Sequence, residues 1–363
     1  MVVNFAAGPA KLPEEVLNEV QKEIVDYKGL GLSVMEMSHR SPEYLSIHTE
    51  TIQSLRELLN VPQNYKILLM QSGGTGMFAA VCMNLMGRTG EADYVVTGSW
   101  SAKAAKEAAQ YGEVNMVIPK TAKYTSVPSQ DTWKVSPNAS YVYYCDNETV
   151  DGVEFNFVPD VPGIPLVCDM SSNFLSRPVD VTKFGVIFAG AQKNIGPAGI
   201  VVVIIREDLL GFQMKITPSV LDFSIAAKND SIYNTPPTLI IYIMGKVFAW
   251  IKKHGGVNAM YENSIKKSSL IYNAMINAKG FYHCPVDQPV RSRMNVPFRV
   301  GSETGNDSLE QEFLKAAKAE GMIQLKGHRS VGGIRASLYN AITIAEAEKL
   351  ATFMEKFFNN NKV

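Results

Sequence analysis

Between residues 66 and 206 the chain alternates short apolar runs with connecting segments, several of them helical in pattern. The runs are KILLM, YVVT, VNMVI, YVYYC, PLVCD, GVIFA and GIVVVIIR. Each is short, rich in β-branched or aromatic residues, and apolar on consecutive positions, as strands buried on both faces require. MFAAVCMNLM (77–86) and SAKAAKEAAQ (101–110) are the clearest helices between them. Strands and helices taking turns in this way specify an α/β domain with a mostly parallel sheet flanked by helices. Ligands of such sheets bind beyond the carboxyl ends of the strands.

The flanks are simpler. Residues 1–15 form an extended arm, and Pro13 suits the first turn of a helix carrying Val16, Val20, Ile24 and Tyr27, stopped by Gly29 and Gly31. Ser41-Pro42 opens a second helix with Leu45, Ile47, Leu55, Leu58 and Leu59 near one face. Residues 206–237 are loop-rich, helices follow over 238–253 and about 257–278, and from about 280 the pattern is α+β. A boundary near 255–265 gives a large domain over 16–260 and a smaller C-terminal one over 261–363.

Composition narrows the ligand. Lys+Arg and Asp+Glu are 35 each, so no global field attracts nucleic acid or an acidic membrane. Any bound anion must be held by locally placed groups. The four cysteines lie in or beside apolar runs without C-x-x-C spacing, which reads as reduced thiols and gives no metal site. The start of the chain lacks a signal-peptide pattern, and no segment approaches the roughly 18 apolar residues of a membrane span. A soluble, cytoplasmic protein is expected.

Lys193 stands between two buried runs, in GVIFAGAQKNIGPAG (185–199). It is either a solvated turn lysine or an amine emerging at a cleft, where desolvation would lower its pKa and suit it to Schiff-base chemistry. Asp169 ends PLVCD, so in a parallel sheet it rises from the same edge as Lys193. It either caps the next turn or faces the cleft. An acid paired with a lysine in this way is the arrangement pyridoxal phosphate needs, the acid keeping the pyridine nitrogen protonated. QSGGTG (71–76) joins the strand KILLM to a helix and leaves backbone N–H groups aimed at one point, suited to a phosphate. Tight strand-to-helix turns also need glycine for steric reasons alone. The segment lacks the lysine of a Walker loop and the G-x-G-x-x-G of a dinucleotide fold.

Trp100 and Thr149 each follow a strand. The indole could stack on a flat ring or simply pack at a helix start, and the hydroxyl could bond a ring substituent or close a turn. His-Arg-Ser occurs at 39–41 and again at 328–330, and Arg335 follows shortly after. Arginine grips carboxylate or phosphate bidentately, so a substrate with more than one anionic group is one reading and surface ion pairs the other. His48, His254 and His283 are read as structural.

Taken together these stretches resemble the phosphoserine aminotransferase family, class V pyridoxal-phosphate enzymes of fold type I, over essentially the full length. The matching segments are NFAAGPAKLP, EMSHRS, QSGGTG, TGSWSAKAAKEA, CDNETVDGVEF, VCDMSSNFLS, FAGAQKNIGPAG, YNTPP and KGHRSVGGIRASLYNA, in that order. The resemblance implies a Lys193 Schiff base with pyridoxal 5'-phosphate, Asp169 on the pyridinium nitrogen, Trp100 stacked on the ring and Thr149 near its phenolic oxygen. It implies that Gly74, Thr75 and Gln192 hold the phosphate. Asn234 and Thr235 would reach the phosphate in the neighbouring subunit, making a homodimer with shared active sites. His39, Arg40, His328, Arg329 and Arg335 would bind substrate anions, with Arg335 on the α-carboxylate. Bacterial members often carry arginine where this chain has Thr75, which leaves the substrate phosphate to the remaining basic residues. The implied reaction is ping-pong amino transfer from L-glutamate to 3-phosphohydroxypyruvate, giving O-phospho-L-serine and 2-oxoglutarate in serine biosynthesis. Within class V, an alanine–glyoxylate aminotransferase needs no second anion site, and a cysteine desulfurase needs a mobile-loop cysteine.

Overall fold

A computed structural model describes residues 2–362. The chain opens with β1 (Val3–Asn4), α1 (Glu14–Glu23) and α2 (Pro42–Leu59). An alternating series follows: β2 (Tyr65–Met70), α3 (Gly74–Leu85), β3 (Glu91–Val95), α4 (Ser99–Ala108) and β4 (Glu113–Met116). Next come β5 (Val142–Cys145), β6 (Leu166–Asp169), β7 (Val186–Gly190), β8 (Val201–Arg206) and the short α5 (Phe223–Lys228). Two long helices, α6 (Thr238–Lys253) and α7 (Gly256–Asn277), lead to β9 (Tyr282–His283) and β10 (Asn295–Val300). The chain closes with α8 (Asp307–Ala319), β11 (Met322–Ile323), β12 (Ile334–Ser337) and α9 (Ile344–Asn361).

The seven apolar runs form one sheet in the order β2-β8-β7-β6-β5-β3-β4. β3 to β7 pair parallel, whereas β8 pairs antiparallel with both β7 and β2. The segment 191–200 is too short for a crossover helix, so the strand after β7 must turn back. The side-chain period of two divides the sheet between two cores. Along β8, Val202 and Ile204 face a core shared with α1, α2 and α6. Val201, Val203 and Ile205 face the core shared with α3, α4 and α5. With both faces covered, the inner strands have no use for polar alternation, whereas β4, at the sheet edge, is only partly buried, unlike the doubly buried strand its run suggests.

α1 ends at Glu23, short of the span its spacing suggests. Asp26 accepts from the N–H of Gly31 at 2.7 Å and Tyr27 donates its N–H to the carbonyl of Leu32, so residues 26–32 close a compact turn instead. α2 begins as expected, with the Ser41 hydroxyl accepting from Tyr44 and proline at the first helical position.

A third core lies under the antiparallel sheet β12-β10-β9. Phe298, Phe313, Phe353 and Phe357 pack there edge-on and tilted, together with Val3 and Phe5 of the arm. β1 also pairs parallel with β11, so the start of the chain belongs to the C-terminal packing unit. α7 joins the cores. Its first turns place Val257 and Met260 in the large one, and its last turns place Ile271, Ala274 and Met275 in the third. Residue 260 therefore falls inside a continuous helix. No helix among the described residues is long and apolar enough to cross a membrane.

Candidate active site

The carboxyl ends of β2, β3, β5, β6 and β7 open onto one cavity of about 490 Å³. Lys193 follows β7 in a turn that Ile195 closes onto Ala191, and its half-buried side chain lines the cavity. Its Nζ donates to Thr149 Oγ1 at 2.7 Å. The arm crosses over it: Ala10 donates to the carbonyl of Gln192 at 2.9 Å, and a Cβ on Gly8 would stand 3.2 Å from Lys193 Cγ. Gly8 also has a φ of 130°, so this close crossing needs glycine. Burial lowers the pKa of Lys193, and the neighbouring Asp169 opposes that shift. Lys193 thus stands half-buried at a cavity and not in open solvent.

Asp169 ends β6 with 5% of its surface exposed and accepts from the N–H of Ser171 at 2.8 Å. Burial raises its pKa, against the hydrogen bond from Ser171 and the charge of Lys193. It closes its own turn and also lines the cavity, so its two readings are compatible.

Trp100 stands in the first turn of α4, and the orientation of that turn has a cause that sequence reasoning missed. Glu148, wholly buried, accepts from the N–H of Trp100 and of Ser101, each at 2.9 Å, and from the Ser101 hydroxyl at 2.5 Å. Asp151 accepts from the N–H of Ser99 at 2.7 Å. Two acids from the loop after β5 thus cap a helix whose positive end welcomes them. Burial, then repulsion from Asp151, pushes Glu148 up to about 7, and burial also raises Asp151. Gly98 leaves room for this cap, since a Cβ there would lie 2.2 Å from Glu148 Cγ. The indole Nε1 of Trp100 is buried without a partner.

The start of α3 supplies another wall. Gly73 is its N-cap with no side-chain cap, so the N–H groups of the first turn have no partner within the helix. A Cβ at Gly73 or Gly74 would meet no protein atom within 4 Å, so packing does not require glycine at those two positions. They leave open space in front of unpaired donors. Lys103, also missed from sequence, donates to Thr75 Oγ1 at 3.0 Å.

Gln192 lines the cavity beside Lys193, and His328 and Arg335 face it from the C-terminal segment. Arg335 donates to the carbonyl of Thr149 at 3.3 Å, which ties it to the acceptor of the Lys193 amine. Burial lowers the pKa of His328, and Arg335 and Arg329 add to that effect. Five residues singled out in the sequence lie outside this cavity. Asn234 and Thr235 are exposed and bond Gln71, at 2.7 Å and 2.5 Å. Arg40 and Arg329 are exposed, His39 is half-buried, and none of the three lines the cavity.

A lysine amine, a buried carboxyl and an uncapped helix start share this cavity, and the class-V aminotransferase family matches residues 2–350. The chain belongs to that family. It is 70% identical to the phosphoserine aminotransferase of Drosophila melanogaster over the whole of both chains. The probable phosphoserine aminotransferase of Caenorhabditis elegans is 54% identical, over 98% of this chain and 96% of that one. Among solved structures, the phosphoserine aminotransferase from Bacillus circulans subsp. alkalophilus superposes with a TM-score of 0.96 at 44% identity, covering 99% of each chain. The pyridoxal-phosphate-bound enzyme from Trichomonas vaginalis gives 0.94 at 40% identity, covering 98% of this chain and all of that one.

Class-V aminotransferases depend on pyridoxal 5'-phosphate, and the residues present fit it. The cavity can hold a substituted ring, the uncapped α3 start offers donors to a phosphate, and the unpaired indole N–H of Trp100 is an open donor at its edge.

Proposed function

We propose that this class-V aminotransferase transfers the amino group of L-glutamate to 3-phosphohydroxypyruvate, reversibly, giving O-phospho-L-serine and 2-oxoglutarate in serine biosynthesis. The observation that carries the reading is that one cavity is lined by the uncapped start of α3, by Lys193 and Asp169, and by Arg335 and His328. The high identity to phosphoserine aminotransferases along the full length supports the choice of substrate.

Pyridoxal phosphate, when bound, supplies the electron sink that lets an amino acid lose its α-hydrogen as a proton. The chain supplies the rest. Lys193 Nζ would hold the cofactor, and as a free amine it would take the substrate α-proton and return it, a role favoured by its lowered pKa. Asp169 would supply the negative charge for the pyridine nitrogen, and its burial would strengthen that interaction. Trp100 would pack against the cofactor ring, and Thr149, which bonds the amine, would offer its hydroxyl to a ring substituent. Gly74, Thr75 and Gln192 hold the phosphate. Arg335 grips the α-carboxylate, and His328 with Arg329 takes the distal anion, the phosphate of one substrate or the second carboxylate of the other.

The reading includes a homodimer. Asn234 and Thr235 are exposed outside their own chain's cavity, which suits residues that reach the cofactor phosphate of a partner copy. His39 and Arg40 also lie outside that cavity, which suits substrate ligands contributed across the dimer. A cytoplasmic location is also proposed, supported by four unpaired cysteines, three of them buried.

Purified protein given pyridoxal phosphate, O-phosphoserine and 2-oxoglutarate is expected to release glutamate, with kcat/KM far above that for alanine. Alanine used equally well would overturn the substrate assignment and leave the family intact.

A further inference from the structure

Lys267 lies in the middle of α7, is 1% exposed and does not touch the cavity. Its Nζ donates to three backbone carbonyls, those of Leu338 at 2.9 Å, Tyr339 at 2.8 Å and Ile342 at 2.9 Å. An ammonium has three donors, and here all three are used. A neutral amine has two N–H groups and would turn its lone pair toward the third carbonyl, so the carbonyl trio selects the charged form. The charged groups facing it are Glu346 of α9, which favours the ammonium, and Lys11 of the arm, which opposes it. Those two are themselves paired at 2.6 Å. Burial is the larger influence and pushes Lys267 down to about 7.

The clamped turn, 338–342, follows β12, the strand that carries Arg335. From it two hydrogen bonds run toward Lys193 from different sides. The Tyr339 hydroxyl donates to the carbonyl of Ala7 at 2.8 Å, and Ala7 precedes Gly8, the residue that crosses over Lys193. The N–H of Asn340 donates to Asn194 Oδ1 at 2.9 Å, and Asn194 follows Lys193 in the chain. Asn340 is held in turn by its side-chain bond to the carbonyl of Leu175 at 3.0 Å.

We propose that Lys267 is a positioning residue for the amino-transfer site: its ammonium clamps the 338–342 turn, and through Tyr339 and Asn340 that turn fixes Lys193 between the arm and the sheet. The proposal rests on the reading of Lys193 given above. It predicts that losing the clamp misplaces the reacting amine, with substrate anions still bound.

The test uses the cofactor-loaded enzyme with Lys267→Met, which keeps the length of the side chain and removes its donors, and with Tyr339→Phe, which leaves the clamp and cuts only the link to the arm. For Lys267→Met, kcat is expected to fall about 10- to 100-fold, as an ångström-scale misplacement does. KM for O-phosphoserine should change by less than about threefold, since anion binding is uniform to ground and transition states. Amide exchange should accelerate about tenfold in peptides covering 5–12, 190–196 and 336–343. For Tyr339→Phe, kcat should fall about fivefold, with faster exchange confined to the arm. A folded, loaded Lys267→Met enzyme with kcat within about twofold of the parent and unchanged exchange at 190–196 overturns the proposal. Should Lys267→Met fail to fold, Tyr339→Phe decides, and unchanged kcat together with unchanged arm exchange overturns it. If the parent enzyme itself does not act on O-phosphoserine, the functional reading fails, whereas the exchange comparison still tests the clamp.

Discussion

Glu148→Gln separates the electrostatics of the α4 cap from its packing. The carboxylate is wholly buried, takes three hydrogen bonds from Trp100 and Ser101, and is pushed from its ordinary 4.5 to about 7 by burial and then by Asp151. A carboxyl with a higher pKa in the fold than in the unfolded chain binds its proton more tightly when folded. Its contribution to stability is therefore fully present below about pH 4.5 and is lost as pH rises through about 7. The gap between the two values corresponds to about 3 kcal/mol. At about 2.1 cal/mol/K per residue, a chain of this length unfolds with about 0.8 kcal/mol/K, so the loss amounts to about 4 °C in Tm.

Glutamine cannot titrate, and its amide NH₂ must meet one of the donors that the carboxylate accepted. That mismatch is a constant cost of about 1–3 kcal/mol at every pH. Thermal unfolding of both cofactor-loaded proteins from about pH 5 to 8 gives the difference in Tm, from which most other titrations cancel. The parent's advantage should shrink by about 3 °C across that range, since part of the contribution is already lost at pH 5. Parallel curves, constant to within about 1 °C, would show that Glu148 does not carry a raised pKa and that the cap works by shape alone.

Asp169→Ala should lower kcat by about 10³-fold or more while cofactor content, read from absorbance, stays near normal, because the acid acts on charge that develops in the reaction. Near-normal turnover in a fully loaded variant would remove that role. Arg335→Lys replaces a planar fork by a point charge and should raise KM for the amino acid by about 10- to 100-fold with a smaller change in kcat; unchanged KM would move the carboxylate elsewhere. Gly98→Ala keeps an allowed extended backbone but sets a Cβ at 2.2 Å from Glu148 Cγ. It should cost about 1–3 kcal/mol in thermal unfolding, and a variant as stable as the parent would show that the cap can shift freely.

The strand-end residues were legible because two simple regularities act together. Apolar β-rich runs announce buried strands, and the residues just past them in a parallel sheet share an edge. Asp169, Lys193, Trp100 and Thr149 were placed that way, and all four line one cavity. The reversed direction of β8 was encoded only in the shortness of segment 191–200, a signal of loop length that residue types do not show. Glu148 was hidden for a different reason. Its partners Trp100 and Ser101 lie 48 and 47 residues away, so no local spacing distinguishes a buried cap from an ordinary loop acid. Lys267 is harder still, since its partners are backbone carbonyls about 70 residues downstream that carry no side-chain signature.

These long-range contacts change what the third core is for. Val3 and Phe5 of the arm are buried in it, and the same arm places Gly8 against Lys193 and ties Ala10 to Gln192. The lowered pKa of Lys193 comes first from burial, and part of that burial is supplied by the arm. A substitution that loosens the C-terminal core, far from the cavity, therefore frees the arm and re-exposes the amine to water. Its pKa then rises toward the ordinary lysine value, and a smaller fraction is neutral at a given pH. Stability of the C-terminal core and basicity of the Lys193 amine are thus linked through one strip of chain.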